Sequence, residues 1–399
     1  MYNKKQIAEN IFYVGVNDRQ KEMFENYLPL PQGVAYNSYL IIDEKTALID
    51  TVDISYADVF FSKIDAILQG KTIDYLIINH VEPDHAGAVG LLRQKYPSCK
   101  IVGNAKTFEM IDGYFGIDTH LHTVKEGDSL SLGKRKLTFY MAPMVHWPEV
   151  MVTYENIDKI LFSADAFGTF GTLDGDFSDE CINIDKCWDQ MRRYYACIVG
   201  KYGLPVQKAL KKLATLDIKT ICSAHGPVWQ KKIEKVVSLY DKWSRYEAEE
   251  EGVVIAYASM YGNTQQLTEA VAEGIAAGGV KNVIIYNVSK TDTSFILSDI
   301  FRYNALIIGS PTYMGGVYPL IEKLISAIEN RGIKNRLYSC FGSYTWAGAA
   351  VKRLSNLAKT MDWELIGNPV ENKHAVAAQN YQAAYELGQE MAKSIKYKI

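Results

Sequence analysis

The sequence predicts an α/β protein of two domains, a metal-binding domain over residues 1–250 and a doubly wound parallel sheet over residues 251–399. Three observations predict it. In the first part, side chains able to bind metal stand at the ends of short apolar runs. In the second, apolar runs alternate with helical stretches, the pattern of a parallel sheet with crossover helices. Between them, Arg245 to Gly252 is a short charged run that reads as a helix end becoming a linker.

The first part is dominated by Asn79-His80-Val81-Glu82-Pro83-Asp84-His85, directly after the apolar run Tyr75 to Ile78. Two imidazoles and two carboxylates on a turn leaving a buried strand converge on one point. They exceed what one tetrahedral ion needs, and the mixture suits iron or manganese as well as zinc. Three further runs end on a candidate ligand: Leu137 to Val145 on His146, Ile160 to Ala164 on Asp165, and Thr220 to Ala224 on His225. Turn formers follow at Pro148, Gly168, Gly226 and Pro227. Strand ends feeding loops on one side of a scaffold are where sites are built. Taken singly, a His or Asp after a strand is more often a packing, turn or cap residue. His120, His122 and His374 have no such partners and read as surface or packing residues.

The cluster, followed by single ligands after gaps of about 60, 20 and 60 residues, resembles the metallo-β-lactamase superfamily over roughly residues 1–250. The resemblance implies an αββα sandwich. It also implies that Asp50, in Ala47-Leu48-Ile49-Asp50-Thr51, hydrogen-bonds the ligand loop. Hydrolases of that superfamily usually carry His-x-His-x-Asp-His, whereas the second position here is Glu82. A carboxylate in place of an imidazole hardens the site and adds negative charge, which favours iron over zinc. His80, Glu82, His146 and Asp165 would hold one iron. Asp84, His85 and His225 would hold the other, with Asp165 bridging.

From Val253 the rhythm changes. Val253 to Ala258, Val283 to Val288, Ala305 to Gly309 and Leu337 to Phe341 read as buried strands, and Gln265 to Ala277 as a helix closed by Gly278 and Gly279. The first connection, Ser259-Met260-Tyr261-Gly262-Asn263-Thr264, offers hydroxyls, successive amides and a helix N-terminus, a neutral cradle for a phosphate. It has no Lys, so it is not a nucleoside-triphosphate loop, and no Gly-x-Gly-x-x-Gly, so it is not a dinucleotide fingerprint. An ordinary strand-to-helix turn is the plainer reading. Two later loops favour a binding site, because both leave the carboxyl ends of strands in the same sheet. One runs Pro311-Thr312-Tyr313-Met314-Gly315. The other runs Ser343-Tyr344-Thr345-Trp346-Ala347-Gly348. Residues 253–395 resemble flavodoxin, which implies FMN with its phosphate at Ser259 to Thr264 and its ring flanked by the two later loops.

The fusion of these two domains, with Glu82 in the ligand cluster, resembles the flavodiiron proteins over nearly the whole chain. The resemblance implies FMN and two irons per chain, and reduction of dioxygen to water or of nitric oxide to nitrous oxide. Electrons would come from an external donor, a rubredoxin-like protein or a reduced cofactor. A head-to-tail homodimer, extended in some members to a dimer of dimers, would bring the flavin of one subunit to the irons of the other. Tyr195, in the helical run Trp188 to Ile198, would donate a hydrogen bond to bound substrate, a buried structural tyrosine being the alternative. Trp147, next to His146, is a candidate for the transfer path, with core packing the plainer role. The alternative is a β-lactamase-type hydrolase with a regulatory flavodoxin domain, and Glu82 and the flavin loops weigh against it.

Composition agrees with this reading. The chain has 399 residues, 48% hydrophobic and 22% charged, with a net charge of −3 that gives no basic footprint for nucleic acid. The run Met1 to Gln6 carries no apolar signal segment and no stretch approaches a membrane span, so the cytoplasm is the expected compartment. Six scattered cysteines form no Cys-x-x-Cys pair, which excludes a rubredoxin-like iron site within the chain.

Overall fold

The computed structural model describes residues 3–397; Met1 and Tyr2 of the N-terminal run lie outside them. Contacts divide the chain into two compact units. The first runs up to Tyr195 and resumes over Leu204–Asp241. The second comprises Ala196–Gly203 and the chain from Lys242 onward.

The first unit is built on two sheets. One has seven strands in the order Lys5–Ala8, Ile11–Tyr13, Tyr39–Ile42, Thr46–Ile49, Tyr75–Ile77, Lys100–Gly103 and Leu121–Thr123. The other has six, in the order Ser129–Ser131, Lys136–Met141, Met151–Glu155, Ile160–Phe162, Thr220–Cys222 and Val228–Trp229. Alternate residues of both enter one core: Ile11 and Tyr13, Tyr39 and Ile41, Ala47 and Ile49 from the first sheet, and Leu137 and Phe139, Ile160 and Phe162 from the second. A period of two places one face of each sheet against the other. This is the predicted sandwich. Three of its strands carry the ligand loops at their ends: Tyr75–Ile77 feeds His80, Ile160–Phe162 feeds Asp165 and Thr220–Cys222 feeds His225. The last two pair in parallel, so both loops leave the same edge.

The second unit is a parallel sheet in the order Val283–Asn287, Glu250–Tyr257, Tyr303–Tyr313 and Leu337–Tyr344, with Glu364–Leu365 and Val370–Lys373 both pairing beyond the last. The four strands of the sequence reading are present, three of them longer than read. The short strands beyond Leu337–Tyr344 and the C-terminal helix Ala378–Tyr397 were not read. The helices Asn263–Ala277 and Ala378–Tyr397 pack on the sheet through Leu267, Val271, Ile275, Leu387 and Met391. Among the described residues no helix is long and apolar enough to cross a membrane, and all six cysteines are free.

Candidate metal centre and flavin site

His80, Glu82, Asp84, His85, His146, Asp165 and His225 come together, and all seven are buried. Asp165 divides them. Its Oδ2 lies 3.4 Å from His80 Nε2 and 3.1 Å from His146 Nε2, and Glu82 Oε2 lies 3.2 Å from each of the same two nitrogens. Its Oδ1 lies 2.9 Å from His85 Nε2 and 3.5 Å from His225 Nε2. Asp84 closes that second group, with Oδ1 3.4 Å from His85 Nε2 and Oδ2 3.3 Å from His225 Nε2. Ligands about 2.0–2.2 Å from one ion stand roughly 3.3–3.6 Å apart at tetrahedral angles. The spacings, 2.9–3.5 Å, are near that range, and the cluster could hold metal ions on either side of Asp165.

The donor set passes a second test. Both oxygens of Asp84 and of Asp165, both ring nitrogens of His85 and Nε2 of His225 are buried with no satisfied hydrogen bond among the described residues, their close polar contacts being the ion-pair distances within the cluster itself. Buried polar atoms are ordinarily satisfied, so this concentration of orphans at one point calls for ions. Without ions the imidazoles take up the charge. Burial opposes a positive His80, but Asp165, Glu149 and Glu82 overcome it and hold its pKa up at about 10. His146 is raised to about 10 against burial by Asp165 and Glu82, and His85 to about 9 by Asp84 and Asp165.

Neighbouring residues fix the ligands. Asp50 Oδ1 accepts the backbone N–H of Asn79 at 2.7 Å and of His80 at 3.4 Å, the role the resemblance gave it. Glu149 was not singled out from the sequence. Its Oε1 binds His80 Nδ1 at 2.7 Å and accepts the N–H of Val81 at 3.0 Å, which turns Nε2 toward the site. The carbonyl of Ala35 does the same for His225 Nδ1 at 2.7 Å. Trp147 packs edge-on against His80, ring centroids 5.2 Å apart. Tyr195 packs its ring 5.0 Å from that of Tyr240. Its predecessor Tyr194 is the tyrosine at the centre: it is fully buried, its ring lies 5.4 Å from His225, and its hydroxyl has no hydrogen-bond partner among the described residues. The α-helix Asp185–Tyr194 passes into a π-helical turn at Tyr195, and the change of winding sends the two side chains apart.

In the second unit a cavity of about 450 Å³ is lined by Ser259, Met260, Tyr261, Asn263, Thr264, Pro311, Thr312, Tyr313, Met314, Gly315, Ser343, Tyr344, Thr345, Trp346, Ala347 and Ala349. Gly262 and Gly348 shape its loops without lining it. Gly262 holds a φ of +95° just before the helix, and a Cβ at Gly348 would meet the carboxylate of Glu371 at 2.6 Å. Thr264 lies inside the helix, buried, its Oγ1 2.9 Å from Ser343 Oγ, which ties the first loop to the third. Thr312 Oγ1 accepts from the N–H of Ala349 and of Ala350. The cavity thus lies at the carboxyl ends of three strands. Its size and neutral donors fit a flavin mononucleotide, with Ser259 to Thr264 toward the phosphate. Tyr261, Met314 and Trp346 stand 88%, 92% and 88% exposed around it.

A β-lactamase-like domain with a buried His/Asp/Glu cluster, in one chain with a flavodoxin-like domain, defines the class. A family model described as ODP family beta lactamase matches residues 34–226, and one described as flavodoxin matches residues 255–388. The chain is 32% identical over 394 residues to a nitric oxide reductase of Moorella thermoacetica, covering 98% of both chains. It is 36% identical to an anaerobic nitric oxide reductase flavorubredoxin of Pectobacterium carotovorum, covering 87% of this chain and 70% of that one. Among solved structures, rubredoxin oxygen:oxidoreductase from Desulfovibrio gigas superposes with a TM-score of 0.94 at 31% identity, covering 99% of both chains. The flavodiiron protein from Giardia intestinalis does so at 0.93 and 26% identity, covering 100% of this chain and 98% of that one. The chain belongs to the flavodiiron protein family.

Proposed function

We propose that the chain is a cytoplasmic FMN- and diiron-dependent oxidoreductase that reduces dioxygen to water, nitric oxide to nitrous oxide, or both. The observation that carries the reading is the division of Asp165 between two ligand groups, one of which contains Glu82. Four imidazoles and three carboxylates are a hard set that suits iron. When bound, a reduced flavin supplies two electrons and a ferrous pair two more, the four that dioxygen needs to become two waters. The hydrolase alternative gives no reason for a flavin cavity.

The chain's own residues have separable tasks in this scheme. Asp165 sets the spacing of the two sites. Glu149 and the Ala35 carbonyl hold the tautomers of His80 and His225. Tyr194, whose phenol is driven well above its usual range by burial and then by Asp165 and Asp84, stays protonated and donates a hydrogen bond into the site. The ring of Trp147 covers His80 and restricts water there. The exposed rim of Tyr261, Met314 and Trp346 suits coverage by another subunit. We assign the chain a head-to-tail homodimer in which each flavin serves the partner's irons, with electrons arriving from a separate rubredoxin-like protein or a reduced cofactor.

Elemental analysis of protein from iron-replete cells should give two irons per chain. Stopped-flow mixing of the fully reduced protein with dioxygen or nitric oxide should then reoxidise flavin and iron together. Two tightly held zinc ions, no iron and no reoxidation by either gas would return the chain to the hydrolases.

A further inference from the structure

The metal centre is buried, and the proposed reaction consumes protons there. Each dioxygen takes four electrons and four protons to give two waters. Each pair of nitric oxide molecules takes two of each to give nitrous oxide and one water. Electrons are accounted for by flavin and iron, but the protons must cross from solvent.

Tyr36 lies on the strand Val34–Tyr36, beside the Ala35 carbonyl that orients His225. It is fully buried, and its ring stands 6.0 Å from His225. Among the described residues its hydroxyl has no hydrogen-bond partner. A buried, unsatisfied hydroxyl in a native fold calls for a water, an ion or a catalytic role. A phenol keeps its proton at neutral pH, and Lys21 Nζ stands 5.5 Å from the centre of this ring.

On its outer side Tyr36 meets Tyr56, ring centroids 6.5 Å apart. The Tyr56 hydroxyl donates to Asp18 Oδ1 at 2.9 Å, which leaves its lone pairs to accept from water. Asp18 is itself pinned by the N–H groups of Gln20 and Lys21, each at 2.9 Å. Tyr56 is half-buried and lines a cavity of about 410 Å³ whose wall includes the exposed Asn3 and Lys4. The order from solvent inward is therefore cavity, Tyr56, Tyr36, metal centre. A water needs two to four polar partners to be held in place. The orphaned Tyr36 hydroxyl and the Tyr56 hydroxyl that donates to Asp18 are polar groups a water here would use.

We propose that Tyr36 is the inner relay of a water-filled proton lane running from this cavity past Tyr56 to the metal centre. This rests on the oxidoreductase reading above. In one transfer a protonated outer water gives its excess proton to Tyr36 Oη and returns to neutral water, while the hydroxyl passes its own proton to an inner water, which delivers it to the reaction at the centre. The hydroxyl then rotates back, and no charge remains on the ring.

Tyr36→Phe deletes the relay atom and keeps the ring against His225. The experiment is stopped-flow reoxidation of fully reduced, iron- and FMN-loaded protein by dissolved dioxygen, in H₂O and in D₂O. Tyr36→Phe should be reoxidised roughly tenfold more slowly, with a larger solvent isotope effect than wild type. Tyr56→Phe should shift both quantities in the same direction by less. A high-resolution crystal structure of the zinc-loaded wild type should show ordered water on both sides of Tyr36 Oη. Full iron and FMN content with wild-type rate and wild-type isotope effect in Tyr36→Phe would overturn the lane. So would a dry Tyr36 hydroxyl in the zinc-loaded crystal. If Tyr36→Phe does not take up iron, Tyr56→Phe and the crystal decide. Failure of the wild type itself to react with either gas sinks the functional reading instead, so the two failures are distinguishable.

Discussion

Glu149 illustrates how much of a metal centre lies in residues that touch no metal. It accepts from both His80 Nδ1 and the Val81 backbone, so it fixes a ring and the loop that carries it. Glu149→Gln keeps the shape but weakens the acceptor. Losses of this kind cost about ten- to a hundredfold in metal affinity, and chelator competition will measure it; unchanged affinity would reduce Glu149 to packing. The imidazoles give a second expectation. In the metal-free centre the folded pKa values of His80, His85 and His146 lie at about 10, 9 and 10, above the ordinary 6.5. A raised value means that this contribution to stability is complete below 6.5 and is lost as pH climbs through 9 to 10. Metal-free protein should therefore melt at progressively lower temperature as pH rises over that window. The metal-loaded form should not, because the ions replace the protons. Parallel melting curves for the two forms would contradict this. That these seven side chains gather in one buried cluster was legible in the sequence, because a four-residue cluster follows one apolar run and three single candidates each end another. Glu149 and Tyr36 were not, since a residue that supports a ligand across sheets leaves no spacing signal. Tyr194 and Tyr195 are neighbours about 100° apart on a helix, and the sequence does not say where the winding changes.

At the scale of elements, the helix Asn263–Ala277 does two things at once. Its first turn offers amides to a phosphate, and its Thr264 hydroxyl ties that turn to Ser343. Thr264→Ala should weaken FMN by about 1.5–3 kcal/mol if the hydroxyl also bonds the charged phosphate, roughly ten- to a hundredfold in affinity. Riboflavin has no phosphate and should bind the wild type poorly and the variant no worse. Equal losses for both flavins would make Thr264 a strut between loops and nothing more. Strands were the more legible elements, because buried parallel strands are continuous apolar runs such as Val253 to Ala258. The edge strands Glu364–Leu365 and Val370–Lys373 are short, and the second alternates burial with exposure, so neither stood out from a loop.

On the scale of the whole molecule, the second unit does not begin at its first strand. Arg331 donates to the carbonyls of Ala196 and Cys197, and a Cβ at Gly200 would meet the ring of Phe301 at 3.1 Å. Arg336, fully buried with no acid beside it among the described residues, spreads its donors over the carbonyls of Ile300, Phe301, Tyr246, Lys334 and Asn335. A fragment of residues 252–399 removes the Tyr246 carbonyl, at 2.7 Å the shortest of three acceptors around Arg336 Nη1, and one such hydrogen bond contributes about 0.5–1.5 kcal/mol. Its urea midpoint should fall below that of residues 242–399, and equal midpoints would show that the linker contributes nothing. The stretch Ala196–Gly203 has a consequence for inheritance. Exchanging the flavin half between two relatives takes three crossovers, at 195/196, 203/204 and 241/242, rather than one. A single crossover in the linker leaves eight residues from one lineage seated in the unit of another, where Arg331 and Phe301 must accept them. The two halves should therefore descend together, and chimaeras joined only at the linker should lose stability in step with divergence at those eight positions.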